Sequence, residues 1–165
     1  MPPQAQWCGG TGASERMTRQ ATDSYAGDLS PRQAWDLLAS DKSAVLVDVR
    51  SQPEWIFVGL PDLSELQKRV VLVPWQNWAG GEHPAMIKNP DFAAALEAAG
   101  VPKAAPVIFL CRSGGRSRSA AIAMTAQGYE RCYNLAGGFE GPHDAAEHRG
   151  AVSGWKAEGL PWMQE

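Results

Sequence analysis

Short, unbroken apolar runs alternate along this chain with stretches whose apolar residues recur at helical spacing. Ala44-Val45-Leu46-Val47-Asp48-Val49 and Pro106-Val107-Ile108-Phe109-Leu110 are rich in β-branched residues and too short for helices. Their continuity predicts strands buried on both faces. Val70-Val71-Leu72-Val73, ended by Pro74, predicts a strand between them, and Tyr133-Asn134-Leu135, ended by Gly137-Gly138, predicts a fourth. Ser30-Pro31 pairs an N-cap with a residue suited to the first helical position, and Trp35 and Leu38 then supply an inward face. Asn89-Pro90 opens a second helix through Ala99, closed by Gly100, with Phe92, Leu96 and Ala99 as its buried stripe. An Ala-rich helix is predicted from Ser117 to Gln127, with Gly128 as its stop, and a last helix near Val152 to Glu158. The stretch around Gly80-Gly81 and Pro84 reads as a polar loop. Strands that alternate with helices in this way predict an α/β domain with a mainly parallel central sheet flanked by helices.

Composition narrows the picture. The 165 residues suit one domain, and 44% hydrophobic content is enough for one core. No internal repeat is visible. Residues 1–23 lack apolar periodicity and are rich in turn formers, so they are expected to form a flexible arm ahead of a domain over 24–165. A net charge of −3 argues against nucleic acid as a partner. No apolar run approaches the roughly 18 residues of a membrane span, and none near the start reads as a secretory signal. The three cysteines, Cys8, Cys111 and Cys132, form no disulfide framework. A cytoplasmic setting, where thiols stay reduced, is the expectation. Cys8 in the arm reads as a bystander, and Cys132 beside a strand reads as buried.

The chemistry concentrates in Cys111-Arg112-Ser113-Gly114-Gly115-Arg116-Ser117, between a buried strand and a helix. Ligands of α/β sheets gather at the carboxyl ends of strands, so this loop is well placed. Gly114 and Gly115 allow a sharp turn and close approach to a ligand. A curled loop turns successive N–H groups inward as an anion nest, and the following helix adds its free N–H groups and the positive end of its dipole. Arg112, Arg116 and Arg118 add positive charge. That field favours the thiolate of Cys111, which is the nucleophilic form. A strand-end cysteine can also be simply a small buried hydrophobe; the coincidence of features within seven residues favours reactivity.

This loop resembles the active-site loop of the rhodanese-like family, in the single-domain thiosulfate sulfurtransferase type. Val47-Asp48-Val49-Arg50 with Glu54-Trp55 resembles the family's early strand motif. Leu135-Ala136-Gly137-Gly138, then Trp155 and Gly159-Leu160-Pro161, resembles its closing motif. The likeness spans about Tyr25 to Trp162. It implies a sulfurtransferase in which Cys111 takes a sulfane sulfur from thiosulfate, holds it as a persulfide and passes it to a thiol or cyanide, or to a protein acceptor. No cofactor is implied. Arg112, directly after the cysteine, resembles the thiosulfate-using branch. Ser113, Gly114, Gly115, Arg116 and Ser117 complete the implied substrate-binding loop. Asp48 and Arg50 are expected near the site as supports, with Arg50 pairing with Glu54; a purely structural ion pair is the alternative. Gly59-Leu60 departs from the family's usual Gly-His, and 139–150 is longer than the minimal pattern, as a partial lid or as exposed decoration.

Two rivals share the family. Phosphatases and arsenate reductases with a loop thiolate carry five residues between Cys and Arg, whereas Arg116 follows Cys111 after four. A non-catalytic or carrier module that feeds a protein partner is the other. Among weaker signals, His143 and Glu147 lack a third metal ligand and read as a solvated polar face. Trp75 and Trp78 are candidates for the mouth of the pocket, with core packing as the alternative.

Overall fold

The computed structural model describes residues 23–165. The predicted arm and Cys8 lie outside them, apart from its last residue, Asp23. The elements run β1 (Gly27–Leu29), α1 (Pro31–Ser40), β2 (Val45–Asp48), α2 (Gln52–Phe57), β3 (Leu60–Pro61), a 3-10 turn (Ser64–Leu66), β4 (Val71–Leu72), β5 (Gln76–Ala79), β6 (Ala85–Lys88), α3 (Phe92–Ala98), β7 (Pro106–Leu110), α4 (Gly115–Ala126), β8 (Arg131–Leu135) and β9 (Trp162–Met163). The central sheet has the order β1-β8-β7-β2-β4, and all its pairs are parallel. The α/β class with a parallel sheet and flanking helices is what the apolar runs predict.

Every residue of β7 is buried, because the strand lies at the centre with helices on both faces. Alternate side chains of β2 and β7 point to opposite sides. Val47, Val107 and Phe109 pack with Phe92 and Leu96 of α3 and with Ala120, Ala121 and Met124 of α4. Leu46, Ile108 and Leu110 pack with Ala34 and Leu38 of α1, and with Phe139 and Trp155. The start of α1 closes as a capping box: Gln33 N–H donates to Ser30 Oγ at 3.1 Å, and Ser30 N–H donates to Gln33 Oε1 at 2.9 Å.

The structure departs from the pattern in several places. Gln76–Ala79 and Ala85–Lys88 form an antiparallel hairpin where a loop is expected. Val152 to Glu158 is a series of turns. There Trp155 N–H donates to Gly138 O and Lys156 N–H to Phe139 O, so the donors a helix needs are spent on the preceding segment. Ala99 is exposed, and α3 begins at Phe92 because Asn89 is tied down first: its Nδ2 donates to Pro74 O, and its Oδ1 accepts from Asp91 N–H. Trp75 belongs to the core, edge-on to Phe92 at 5.0 Å, while Trp78 projects from β5 with 66% of its surface exposed.

Candidate active site

Beyond β2 the chain moves outward to β4; beyond β7 it moves the other way, to β8. The carboxyl ends of β2 and β7 therefore flank the point where the strand order reverses, the usual crevice for ligands in such sheets. Cys111 follows β7 directly. The loop needs three residues to reach α4, with Gly114 as its N-cap at φ +115°, in the left-handed region where a side chain is disfavoured. This turn aims the Gly114 N–H at Cys111 Sγ, 3.1 Å away, and the Ser117 hydroxyl lies 3.1 Å from the same sulfur. The sulfur thus rests over the positive end of a twelve-residue helix.

The loop is braced from behind. Phe139 N–H donates to Cys111 O at 2.8 Å, and Glu140 and Gly141 N–H both donate to Arg112 O. A Cβ on Gly138 (φ +62°) would lie 2.5 Å from Cys111 O and 2.6 Å from Arg112 O, so this backbone approach requires glycine. The start of the 139–150 segment is therefore buried under the loop, and residues 142, 143 and 145–148 are exposed. His143 and Glu147 do not share a helix face: a turn around Asp144, whose Oδ1 accepts from Ala146 and His148 N–H, takes its place.

The expected arginine field is more differentiated than the sequence implies. Arg112 is exposed, and its side chain makes no hydrogen bond or ion pair among the described residues. Arg116 makes a bidentate pair with Glu54, at 2.8 and 3.0 Å. Burial works to raise the Glu54 carboxyl, but the Arg116 bonds and charge, with donors from Ser51, outweigh it and hold it at about 2. Burial likewise opposes the charge on Arg116; Glu54 outweighs it, with smaller contributions from Cys111 and Asp48, so Arg116 is raised. Arg118 turns away to Tyr25.

The expected Arg50–Glu54 pair is corrected: Arg50 pairs with Asp48 instead. Its Nη2 lies 2.6 Å from Asp48 Oδ2, both side chains are fully buried, Nη2 also donates to Gly59 O, and the guanidinium stacks on Phe139 at 4.3 Å. The cause is geometric, since Asp48 ends β2 two residues away, while Glu54 on α2 faces the Cys111 loop. Removing one partner of such a buried pair costs about 3–5 kcal/mol. Asp48 and Arg50 thus hold the end of β2 beside the site.

Asn134, which the sequence did not single out, touches this constellation. Its Oδ1 lies 2.6 Å from Ser117 Oγ. The available signal was a polar residue in the middle of the predicted strand Tyr133-Asn134-Leu135. Cys132 is buried as expected, and burial pushes its thiol up to about 11. No helix among the described residues is long and apolar enough to cross a membrane.

Chemically, the site offers one sulfur with two hydrogen-bond donors, a helix N-terminus and an exposed arginine beside it, an arrangement suited to an anionic sulfur. A family model described as the STR4 middle domain matches residues 26–165. The Rv0390 protein of M. tuberculosis, known from a crystal structure, is 51% identical, with a TM-score of 0.75, covering 86% of this chain and 100% of that one. The Rickettsia conorii protein RC0915 is 39% identical over 137 residues, 82% of this chain and 96% of its own. The thiosulfate sulfurtransferase GlpE of Actinobacillus pleuropneumoniae is 26% identical over 134 residues, 81% of this chain and 90% of its own. The chain belongs to the family described as the STR4 middle domain, and its fold is rhodanese-like.

Proposed function

We propose that the chain is a sulfurtransferase that moves a sulfane sulfur from thiosulfate, or a similar donor, to a thiophilic acceptor through a persulfide on Cys111. The Cys111 thiolate attacks the outer sulfur of thiosulfate. A new S–S bond forms, and sulfite leaves with the electron pair of the old one. The acceptor, a thiol or cyanide, then attacks the outer sulfur of the persulfide, and Cys111 leaves as a thiolate. The observation that carries this is the pair of donors, Gly114 N–H and Ser117 Oγ, on the sulfur of a cysteine at the end of the central strand. Such donors stabilise charge on the sulfur as it attacks and as it leaves. Arg112, exposed on the same loop, is the residue placed to meet a dianionic donor, with Ser113, Gly114, Gly115, Arg116 and Ser117 shaping the cradle. The similarity to a thiosulfate sulfurtransferase supports the same chemistry.

The test is thiocyanate formation from thiosulfate and cyanide, with mass spectrometry for one added sulfur on Cys111. Turnover should vanish in Cys111→Ser while the fold persists. Absence of both turnover and added sulfur in folded protein would remove thiosulfate as donor. A second reading, a carrier or binding module within a larger assembly, is favoured by a family named for a middle domain. Persulfide formation without turnover to cyanide would select the carrier.

A further inference from the structure

Ser117 stands between two acceptors with one hydrogen to give. Its Oγ lies 3.1 Å from Cys111 Sγ and 2.6 Å from Asn134 Oδ1, and a hydroxyl carries a single hydrogen. The orientation of the Asn134 amide is set from its far end. Nδ2 donates to Asp28 Oδ1 at 3.1 Å, and that carboxylate, which also accepts from Tyr25 OH at 2.8 Å, has no hydrogen to give back. Asn134 must therefore present its oxygen to Ser117.

We propose that Asn134 is a positioning residue that acts through Ser117, drawing the hydroxyl hydrogen away from Cys111 Sγ while that sulfur is neutral and yielding it as negative charge develops there. In the thiol, the Cys111 S–H donates to Ser117 Oγ, and Ser117 donates to Asn134 Oδ1. On ionisation the sulfur's proton passes to water, and the Ser117 hydrogen turns to Sγ, where a charge-assisted bond is stronger. Asn134 Oδ1, in a side chain buried in β8, then loses its donor, which costs free energy and weighs against the thiolate. Sulfur transfer, which rests on the function proposed above, uses the same switch. The acceptor's lone pair bonds to the outer sulfur, the S–S bond breaks with its pair left on Sγ, and the Ser117 hydrogen swings to it without any proton changing owner.

The charged groups around the sulfur are Arg112 in the loop, Arg116 from α4 with its partner Glu54 on α2, Asp48 with Arg50 at the end of β2, and Asp28 on β1 behind Asn134. Substituting Asn134 with leucine removes none of these charges; Asp28 loses the Nδ2 donor and keeps the one from Tyr25 OH.

The experiment is the pH dependence of iodoacetamide alkylation of Cys111 in the full chain. In Asn134→Leu the midpoint should fall by about one pH unit, a roughly tenfold gain in thiolate at a fixed pH below it. In a Ser117→Ala background the same substitution should move nothing, because the hydrogen it releases is gone. Asp28→Asn, on an exposed position, unlocks the amide and also removes a negative charge, so its shift in the same direction should be larger in the native background than in Ser117→Ala, where the charge effect alone remains. If Asn134→Leu does not fold, this second variant decides. No shift in folded variants, an Asn134→Leu shift that survives in the Ser117→Ala background, or an Asp28→Asn shift equal in the two backgrounds overturns the proposal. Alkylation needs no sulfur donor, so failed thiocyanate formation with an intact coupling to Ser117 would fault the proposed function and leave this one standing.

Discussion

Cys111 and Cys132 are equally hidden, each with about 1% of its surface exposed, and both belong to one apolar cluster on the same side of the sheet. Their surroundings nevertheless differ in kind. Cys132 lies within β8, where the backbone donors serve the sheet. Its sulfur makes a weak bond to Tyr129 O at 4.0 Å and, among the described residues, meets no backbone N–H aimed at it as Gly114 is at Cys111, its other polar neighbour being the Thr125 side chain. Burial, offset only in part by the Thr125 side chain, pushes its thiol up to about 11. Cys111 lies one residue past the end of β7, where the chain leaves the ladder and its N–H groups need other partners. The turn at Gly114 spends one of them on the sulfur. The two sulfurs are thus equal in burial and differ in what the nearby donors point at.

The largest expected effect compares the two thiols in one molecule. At pH 8 a thiol whose midpoint is about 11 is ionised in roughly one molecule in a thousand. Iodoacetamide should label Cys111 at least about 100-fold faster than Cys132 in the native protein, with the two converging after denaturation. Peptide mass mapping over time reads both rates. Equal native rates would break the comparison.

A second prediction turns Cys111 toward the condition of Cys132. Gly138→Ala places a methyl against Cys111 O and Arg112 O at a positive φ, so the loop must shift off its brace. The variant should lose about 2–4 kcal/mol of stability, measured by urea denaturation, and Cys111 labelling should slow as the Gly114 and Ser117 donors lose their aim. A stable variant with unchanged labelling would mean that the brace does not hold the loop.

What was legible in the sequence follows the same division between ladder and loop. The β-branched runs exposed β2 and β7, and Gly114-Gly115 after an apolar run marked the turn that carries Cys111. The β5–β6 hairpin was not legible because it is an excursion outside the core: Trp78, Met86 and Ile87 are all largely exposed, so no alternation between buried and solvated positions is imposed on it. The false helix at 152–158 misled because its donors go to Gly138 and Phe139, partners that only the fold supplies. The same holds for side chains. Glu54 is drawn to Arg116, 62 residues away, over nearby Arg50, and the Ser117–Asn134 contact joins two elements whose proximity no local pattern encodes.

The smallest effect concerns Glu54, which pairs with Arg116, an arginine whose charge interacts with Cys111. Glu54→Gln should release that charge and speed Cys111 labelling at neutral pH by about two- to threefold, with Cys132 unchanged, since a pair with about a fifth of its surface exposed is screened. Stability gives an independent reading with a definite sign. The folded-state carboxyl titrates at about 2 against an ordinary value of 4.5, so the pair's contribution is complete above pH 4.5 and is lost as pH falls toward 2. After allowance for screening it amounts to about 1 kcal/mol. Urea midpoints of the two proteins should therefore differ at pH 6 and draw together near pH 2. A difference that persists there would mean that Glu54 acts through packing on α2 and not through its charge on Arg116, and the speeding of Cys111 would then be absent as well.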